Sequence, residues 1–308
     1  MMNIIRRSVY YQTIRYNSTT IKELCKVNSP DKAAKEYRRM KEEGETPDLE
    51  AFNSLISLFG RFNRPDRSEV YFNDLQKHYK PTHLSYQYLL ESLGKHQSPL
   101  HLRSIMDSMR KYDLSPNINV YNALLDSCTK ESHLPLAEQF IAEITAQGIK
   151  LNAYTYNKLI ELFGTCKQLE RALSIFEDMK SNSIEPNPFT YCNIIEACGI
   201  NHNYEKAIDI WKEMKENNVR LTSDIYTSII DMCLNCGKIE EALRCYQEMK
   251  DEDITPKQRT FDILIDYCGT NQYLEEAEKL IQEMDDLKIT PTRNIQKVRR
   301  SVRLVRVL

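Results

Sequence analysis

The sequence predicts an all-α protein built from stacked helical hairpins, on three observations. An aromatic residue recurs at Phe52, Tyr86, Tyr121, Tyr156, Tyr191, Tyr226 and Phe261, in steps of 34 and then 35 residues. Ala137, Ala172, Ala207, Ala242 and Ala277 keep the same step with Ala33 in phase, and so do Met109, Met179, Met214, Met249 and Met284, and Pro47, Pro81, Pro116, Pro186, Pro256 and Pro291. Gly (8) and Pro (11) are scarce in 308 residues, while Glu, Lys, Leu, Ile and Met abound, which favours helix throughout. Four residue types on one period of this length signify a repeat array whose units bury their apolar faces only by stacking.

The chain opens with MMNIIRRSVYYQTIRYNSTT, which bears Arg, is rich in Ser and Thr and has no acid. That composition reads as a mitochondrial presequence over 1–16, with a processing point near Arg15-Tyr16. Residues 17–48 read as a degenerate first repeat or N-terminal cap. Seven full units follow over 49–292: 49–82, 83–117, 118–152, 153–187, 188–222, 223–257 and 258–292. In 153–187, Tyr156, Leu159, Ile160 and Phe163 make one face of a first helix, and Gly164 to Gln168 is a polar break. Leu169, Ala172, Leu173, Phe176 and Met179 then make the face of a second helix, stopped by Ser183-Ile184-Glu185-Pro186-Asn187. Small Ala is expected at the closest helix crossing, and Met fills irregular gaps. The basic tail, 293–308, places Ile295, Val298, Val302 and Val305 at helical spacing and reads as a capping helix.

Charge and composition exclude several classes of function. No apolar run approaches the roughly 20 residues of a membrane-spanning helix. The 42 basic and 44 acidic residues are unevenly placed: residues 1–22 hold four basic residues and no acid, 293–308 hold six and no acid, and 23–292 carry a net −12. Cys233 and Cys236 form a C-x-x-C, but Cys128, Cys198, Cys233 and Cys268 share one repeat position on the apolar stripe, so packing explains them better than a metal site. The 9 Cys residues show no framework spacing, as suits a reducing compartment such as the mitochondrial matrix. The six His residues are dispersed, and neither a phosphate loop nor a hydrolase or deaminase constellation is present. Trp211, between Ile208 and Met214 on an apolar face, reads as core. Neither enzymatic activity nor a cofactor or metal is expected.

A hairpin repeat of 35 residues with these signatures resembles the pentatricopeptide repeat family. The segments VYNALLDSCTK (120–130), TYNKLIELFG (155–164) and IEEALRCYQEMKDEDITP (239–256) carry the likeness, which spans about 280 residues. The tetratricopeptide repeat, a related protein-binding unit, wants Gly where this chain has Ile56, Leu90, Leu125, Ile160, Ile195, Ile230 and Ile265. The resemblance implies a right-handed superhelical α-solenoid of the type without an appended catalytic domain, organellar, binding single-stranded RNA with one base per repeat.

In that family the base is read by the residue after the aromatic together with the last residue of the repeat. The resemblance therefore implies base contacts by Asn53 with Thr82, Gln87 with Asn117, Asn122 with Asn152, Asn157 with Asn187, Cys192 with Thr222, Thr227 with Lys257, and Asp262 with Thr292. The two Asn-Asn pairs match a combination that the family associates with pyrimidines; Cys192 is a poor donor and Lys257 offers donors alone. Leu84, Tyr154 and Phe189 are the expected stacking residues, whereas Glu50 and Asp224 at the same place would repel a phosphate. Near the first-helix ends lie Lys26, Arg61, Lys95 and Lys130, and then Thr165, Ile200, Asn235 and Thr270. A basic row is what phosphates need, so RNA is expected towards the N-terminal half.

The expected function is a mitochondrial adaptor that holds a short single-stranded RNA and acts in RNA processing or stability, intron splicing, small-subunit rRNA maturation or translation. Its expected partners are an organellar transcript and mitochondrial ribosomal or RNA-processing proteins. The alternative is a protein-binding structural solenoid, such as a mitochondrial ribosome component or assembly factor, favoured by the acidic body and the off-pattern pairs.

Overall fold

The computed structural model describes residues 18–94 and 96–305, without the side chains of 303–305. The expected presequence, 1–16, and Lys95 therefore lie outside the described residues. Those described form helices joined by short turns, with no strand among them, in two compact units that divide between Leu151 and Asn152.

The N-terminal unit holds α1 (18–26), α2 (Pro30–Glu42), α3 (Leu49–Arg61), α4 (Pro65–His78), α5 (His83–Leu93), α6 (Pro99–Lys111), α7 (Ile118–Ser127) and α8 (Leu134–Ala146). The C-terminal unit holds α9 (Ala153–Thr165), α10 (Leu169–Ser181), α11 (Pro188–Ile200), α12 (Tyr204–Glu216), α13 (Ser223–Asn235), α14 (Ile239–Asp251), α15 (Gln258–Thr270), α16 (Leu274–Asp286) and α17 (Arg293–Val305). Odd-numbered helices are first helices and even-numbered ones are second helices. Within each unit a first helix packs on its own second helix and on neighbouring first helices, which is the construction of an α-solenoid.

The periodic residues occupy the places their chemistry demands. Each recurring aromatic is at most 3% exposed, and the recurring Ala and Met residues are fully buried. Full burial of a Phe or Met side chain contributes about 1.5–3 kcal/mol relative to exposure, and that of Ala less. Successive first helices cross most closely at glycine. A Cβ on Gly199 would lie 2.9 Å from the Cα of Met232, and one on Gly94 would lie 2.9 Å from the carbonyl oxygen of Ala123. At these approaches between first helices even a methyl is too large.

Helix ends are set differently from the expectation as well. α10 stops at Ser181, Ser183 adopts φ 58°, and the Ile184 N–H donates to the Met179 carbonyl. This left-handed cap ends the helix before Pro186 is reached. The same turn recurs at Asn63, Asp113, Lys167, Asn218 and Asp253, all at positive φ.

Successive second helices are joined by ion pairs between residues 33 apart. Lys180 pairs with Glu213 at 3.1 Å, Lys215 with Glu248, and Lys250 with Glu283 at 3.1 Å; in the N-terminal unit Lys41 pairs with Asp74 at 2.9 Å and Arg110 with Glu143 at 2.6 Å. The acid also receives the hydroxyl of the recurring tyrosine in Tyr121–Glu143 (3.1 Å) and Tyr191–Glu213 (3.4 Å). These glutamates tie one repeat to the next. At Asp74, burial pushes the carboxyl up, but hydrogen bonds from Lys77, Tyr37 and Lys41 outweigh it and hold the group well below the usual carboxylate range.

Candidate nucleic-acid interface

On the first helices α3 to α15 the fourth residue is the buried aromatic, and the second, fifth and ninth lie on one adjoining stripe because they are three and four residues apart. The stripe holds the expected stacking residues at its second position and the expected readers at its fifth. Leu84, Tyr154 and Phe189 are exposed large apolar side chains, as a stacking role requires. Asn53, Asn122, Asn157, Cys192 and Thr227 are buried, whereas Gln87 and Asp262 are half-buried.

In the N-terminal unit this stripe opens into a groove of about 790 Å³ lined by α1, α3 and α5. Its wall includes Lys26 and Arg61, two of the expected phosphate contacts, together with Asn53, Leu84 and Tyr88. The Asn53 amide oxygen is buried and accepts no hydrogen bond, although the side chain is only 6% exposed. An orphaned acceptor in a buried amide costs about 1–3 kcal/mol, so Asn53 carries unmet hydrogen-bonding capacity at the groove wall. Glu50, expected to repel a phosphate, is instead paired: Lys22 donates to it at 3.0 Å and to Asp48 at 3.1 Å. Burial works against the Lys22 charge, but these bonds to Glu50 and Asp48 prevail and hold its pKa above the ordinary lysine value.

Further along the unit, Gln87 donates its amide to Glu91 at 2.8 Å. Lys130 departs from the expectation. α7 stops at Ser127, whose hydroxyl donates to the Leu124 carbonyl, and Lys130 lies in extended backbone ahead of a 3₁₀ turn at Glu131–His133. Short hydroxyl side chains that bond back to the preceding turn compete with helix continuation, and here they leave Lys130 off the helix.

The last residue of the first five full repeats caps the following helix. Thr82, Asn117, Asn152, Asn187 and Thr222 each accept the backbone N–H three residues on, at 3.0–3.4 Å. Asn, Thr and Asp are the preferred residues for this task, so capping accounts for their identity without a base. Capping occupies the Asn side-chain oxygen and leaves the NH₂ as the group to offer. Lys257, without a capping side chain, donates instead to Asp224 at 2.8 Å.

In the C-terminal unit the stripe is closed on itself beyond Asn157. Asn157 keeps an orphaned amide oxygen like that of Asn53. Beyond it the Thr227 hydroxyl donates to the Ser223 carbonyl at 2.7 Å and lies 2.7 Å from the Thr260 hydroxyl, so the pair Thr227 and Lys257 is not assembled. Thr292 donates to Asp262 at 3.0 Å, which joins that pair directly. Burial pushes the Cys192 thiol up to about 11, so it stays a neutral, weak donor. The Glu196 carboxylate accepts the Ser228 hydroxyl at 2.9 Å and the Arg259 guanidinium at 3.2 Å. Burial, with Glu196 nearby, raises the carboxyl pKa of Asp231. Trp211 is buried and edge-on to Tyr226 at 5.5 Å, a core residue.

One feature of the stripe was missed by the sequence reasoning. Its ninth position carries Glu91, Asp126, Glu161, Glu196, Asp231 and Asp266, an acid every 35 residues. The step itself was the available signal, hidden by attention to the basic row four residues further on.

Models of the pentatricopeptide repeat domain match residues 100–133, 139–201 and 189–235, and models of the pentatricopeptide repeat family match 221–269, 50–79 and 259–289. Together these matches cover more than half of the chain. No curated protein matches it. Among solved structures, the pentatricopeptide repeat protein PPR10 from maize superposes with a TM-score of 0.68 at 20% identity, over 91% of this chain and 40% of that one. PPR10 in complex with an 18-nucleotide psaJ RNA element superposes with a TM-score of 0.58 at 18% identity, over 86% of this chain and 44% of that one. The chain thus spans less than half the length of these structures, and the likeness is one of fold.

Proposed function

Because this chain belongs to the pentatricopeptide repeat family, we propose that it is a single-stranded RNA-binding adaptor, without chemistry of its own, whose first-helix stripe meets the bases. The observation that carries this reading is the groove of the N-terminal unit. It sets a buried, unpartnered amide oxygen at Asn53 beside two cations, Lys26 and Arg61, and an apolar side chain, Leu84. Base edge, phosphate and base face each find a matching group there. The RNA complex of PPR10, whose fold this chain shares, supports the same direction.

The site of action in this proposal is the mitochondrion, on the strength of the Arg-bearing, acid-free segment 1–16, and the task is handling of an organellar transcript in processing, stability, splicing, small-subunit rRNA maturation or translation. A second reading, a protein-binding scaffold of the mitochondrial ribosome or of RNA-processing machinery, is favoured by the self-satisfied acidic stripe of the C-terminal unit.

Fluorescence anisotropy with short pyrimidine-rich RNA tests the reading, with duplex RNA as the control and Asn122→Ala/Asn157→Ala as the variant. Preference for the single strand, with about tenfold or greater weakening in the variant and an unchanged helical melt, is expected. Equal affinity for duplex and single strand, or an indifferent variant, moves the assignment to the scaffold. Import of the full chain into isolated mitochondria, with shortening near residue 16, is the expected result for the proposed location; a chain left outside at full length sinks it.

A further inference from the structure

Arg259 occupies the second position of α15, the place held by Leu84, Tyr154 and Phe189 on other first helices. A guanidinium there is itself a stacking plane for a base and a cation for a phosphate. Its Nη2 instead reaches Glu196, a residue 63 positions earlier on α11, and the same carboxylate oxygen takes the Ser228 hydroxyl from α13 between them. Three successive first helices are thus tied by one carboxylate across the stripe. Under this tie the Thr227 hydroxyl is already shared with Ser223 and Thr260, and alongside it Asp224 holds Lys257. In the groove of the N-terminal unit the cross-helix pair is Lys22 with Glu50 and Asp48, and the buried Asn53 oxygen has no partner.

We infer that the Arg259–Glu196–Ser228 contact is a lock that closes the stripe of residues 188–292, so that Glu196 and Arg259 set the length of RNA held. This rests on the RNA-binding reading above and adds to it a limit that the number of repeats does not supply. On the C-terminal unit, RNA contacts are then confined to the repeat of Asn157. Opening the lock takes a negative charge off the stripe and releases a cation onto it, so Glu196→Gln tightens RNA binding. Arg259→Ala removes a residue that the RNA does not touch and leaves the wild-type affinity as it was.

The test is anisotropy with pyrimidine oligonucleotides of about three to nine nucleotides at several salt concentrations, on the full chain, Glu196→Gln, Arg259→Ala and the double variant. For the wild type, affinity is expected to stop rising at about four nucleotides, given one base per repeat. For Glu196→Gln it is expected to keep rising to about seven nucleotides, with a log–log salt slope steeper by about 0.7 for one added phosphate contact. The double variant is expected to lose that gain, which separates a released Arg259 from mere loss of an acid. Glu196 is partly exposed and Arg259 exposed, so thermal melts of all four chains should agree to within a few degrees.

An unchanged slope and length in Glu196→Gln, or weaker binding by Arg259→Ala, overturns the lock while the RNA reading stands. A wild type whose affinity climbs through seven nucleotides overturns it too. Absence of binding by every chain at every length overturns the RNA reading and the lock with it.

Discussion

The repeats of Asn53 and Asn157 and the repeats beyond Asn157 carry the same stripe and treat its polar groups differently. In the N-terminal unit Asn53 is buried with an unfilled acceptor, facing a groove that also holds Lys26 and Arg61. In the C-terminal unit beyond Asn157, Thr227, Asp224, Glu196 and Asp262 find partners within the chain. A repeat period fixes where a side chain stands and leaves open whether its hydrogen bonds are made at home. Unmet capacity marks a surface for a ligand, whereas met capacity marks a surface that stabilises the fold.

Charge reversal should break this contrast most strongly. Lys26→Glu with Arg61→Glu is expected to weaken RNA binding about 100-fold or more near 0.1 M salt and to flatten the salt slope by about 1.4, since two phosphate contacts go. Lys257→Glu, on the closed stripe, should change the affinity less than about threefold, because that lysine serves Asp224. Equal losses from the two experiments would erase the distinction between the units.

Polar-to-apolar changes sharpen it. Asn53→Leu should weaken RNA binding about tenfold yet leave the fold as stable or more so, because an unpaired buried acceptor disappears. Thr227→Val should do the reverse, with affinity retained and stability lower by about 0.5–1.5 kcal/mol in denaturant titration. Opposite signs in the two variants are the diagnostic.

Acid acts on the units with opposite signs. Asp74 is depressed, so its stabilisation is present above the unfolded value near pH 4 and is lost as the pH falls through the usual carboxylate range towards its folded value. Asp231 is raised, so the stability linked to it is present below about pH 4 and is lost as the pH rises through its folded value. At neutral pH, Asp74→Asn should therefore lower the melting temperature and Asp231→Asn raise it; in a melting series over pH the Asp231 difference should fade as the pH falls towards about 4, and the Asp74 difference only below about 4. The smallest effect belongs to Lys167→Gly: relieving a non-glycine residue at φ 59° should add about 0.5–1 kcal/mol to the C-terminal unit, visible as a small rise in denaturant midpoint.

The hairpin repeat was readable because burial imposes a period. An aromatic, an Ala or a Met that must be covered in each unit recurs wherever the unit does, and those residues are the buried ones. What escaped were relations between units. That Gly199 faces the backbone of Met232, or that Lys215 meets Glu248, depends on how far one hairpin is rotated against the next, which no single helix encodes. At the candidate site the stacking residues were legible as apolar side chains on a polar face, since Tyr154 and Phe189 had no core to join. The reader pairs were less so: Asn187 and Thr222 are what any helix start asks for, and the capping role is indistinguishable in sequence from a base contact.

The ion pairs between second helices have a direction: a cation in one repeat meets a carboxylate in the next. In the C-terminal unit a repeat cut out between α10 and α16 leaves a lysine still opposite a glutamate, and one copied in finds both faces matched. Lengthening by duplication is therefore tolerated within that stretch. After α16 the equivalent place is Asp285, held at 2.6 Å by Arg299 of α17, so the polarity is reversed and a copied repeat would set acid against acid. The register of ion pairs thus carries through the middle of the array and changes sign at Asp285.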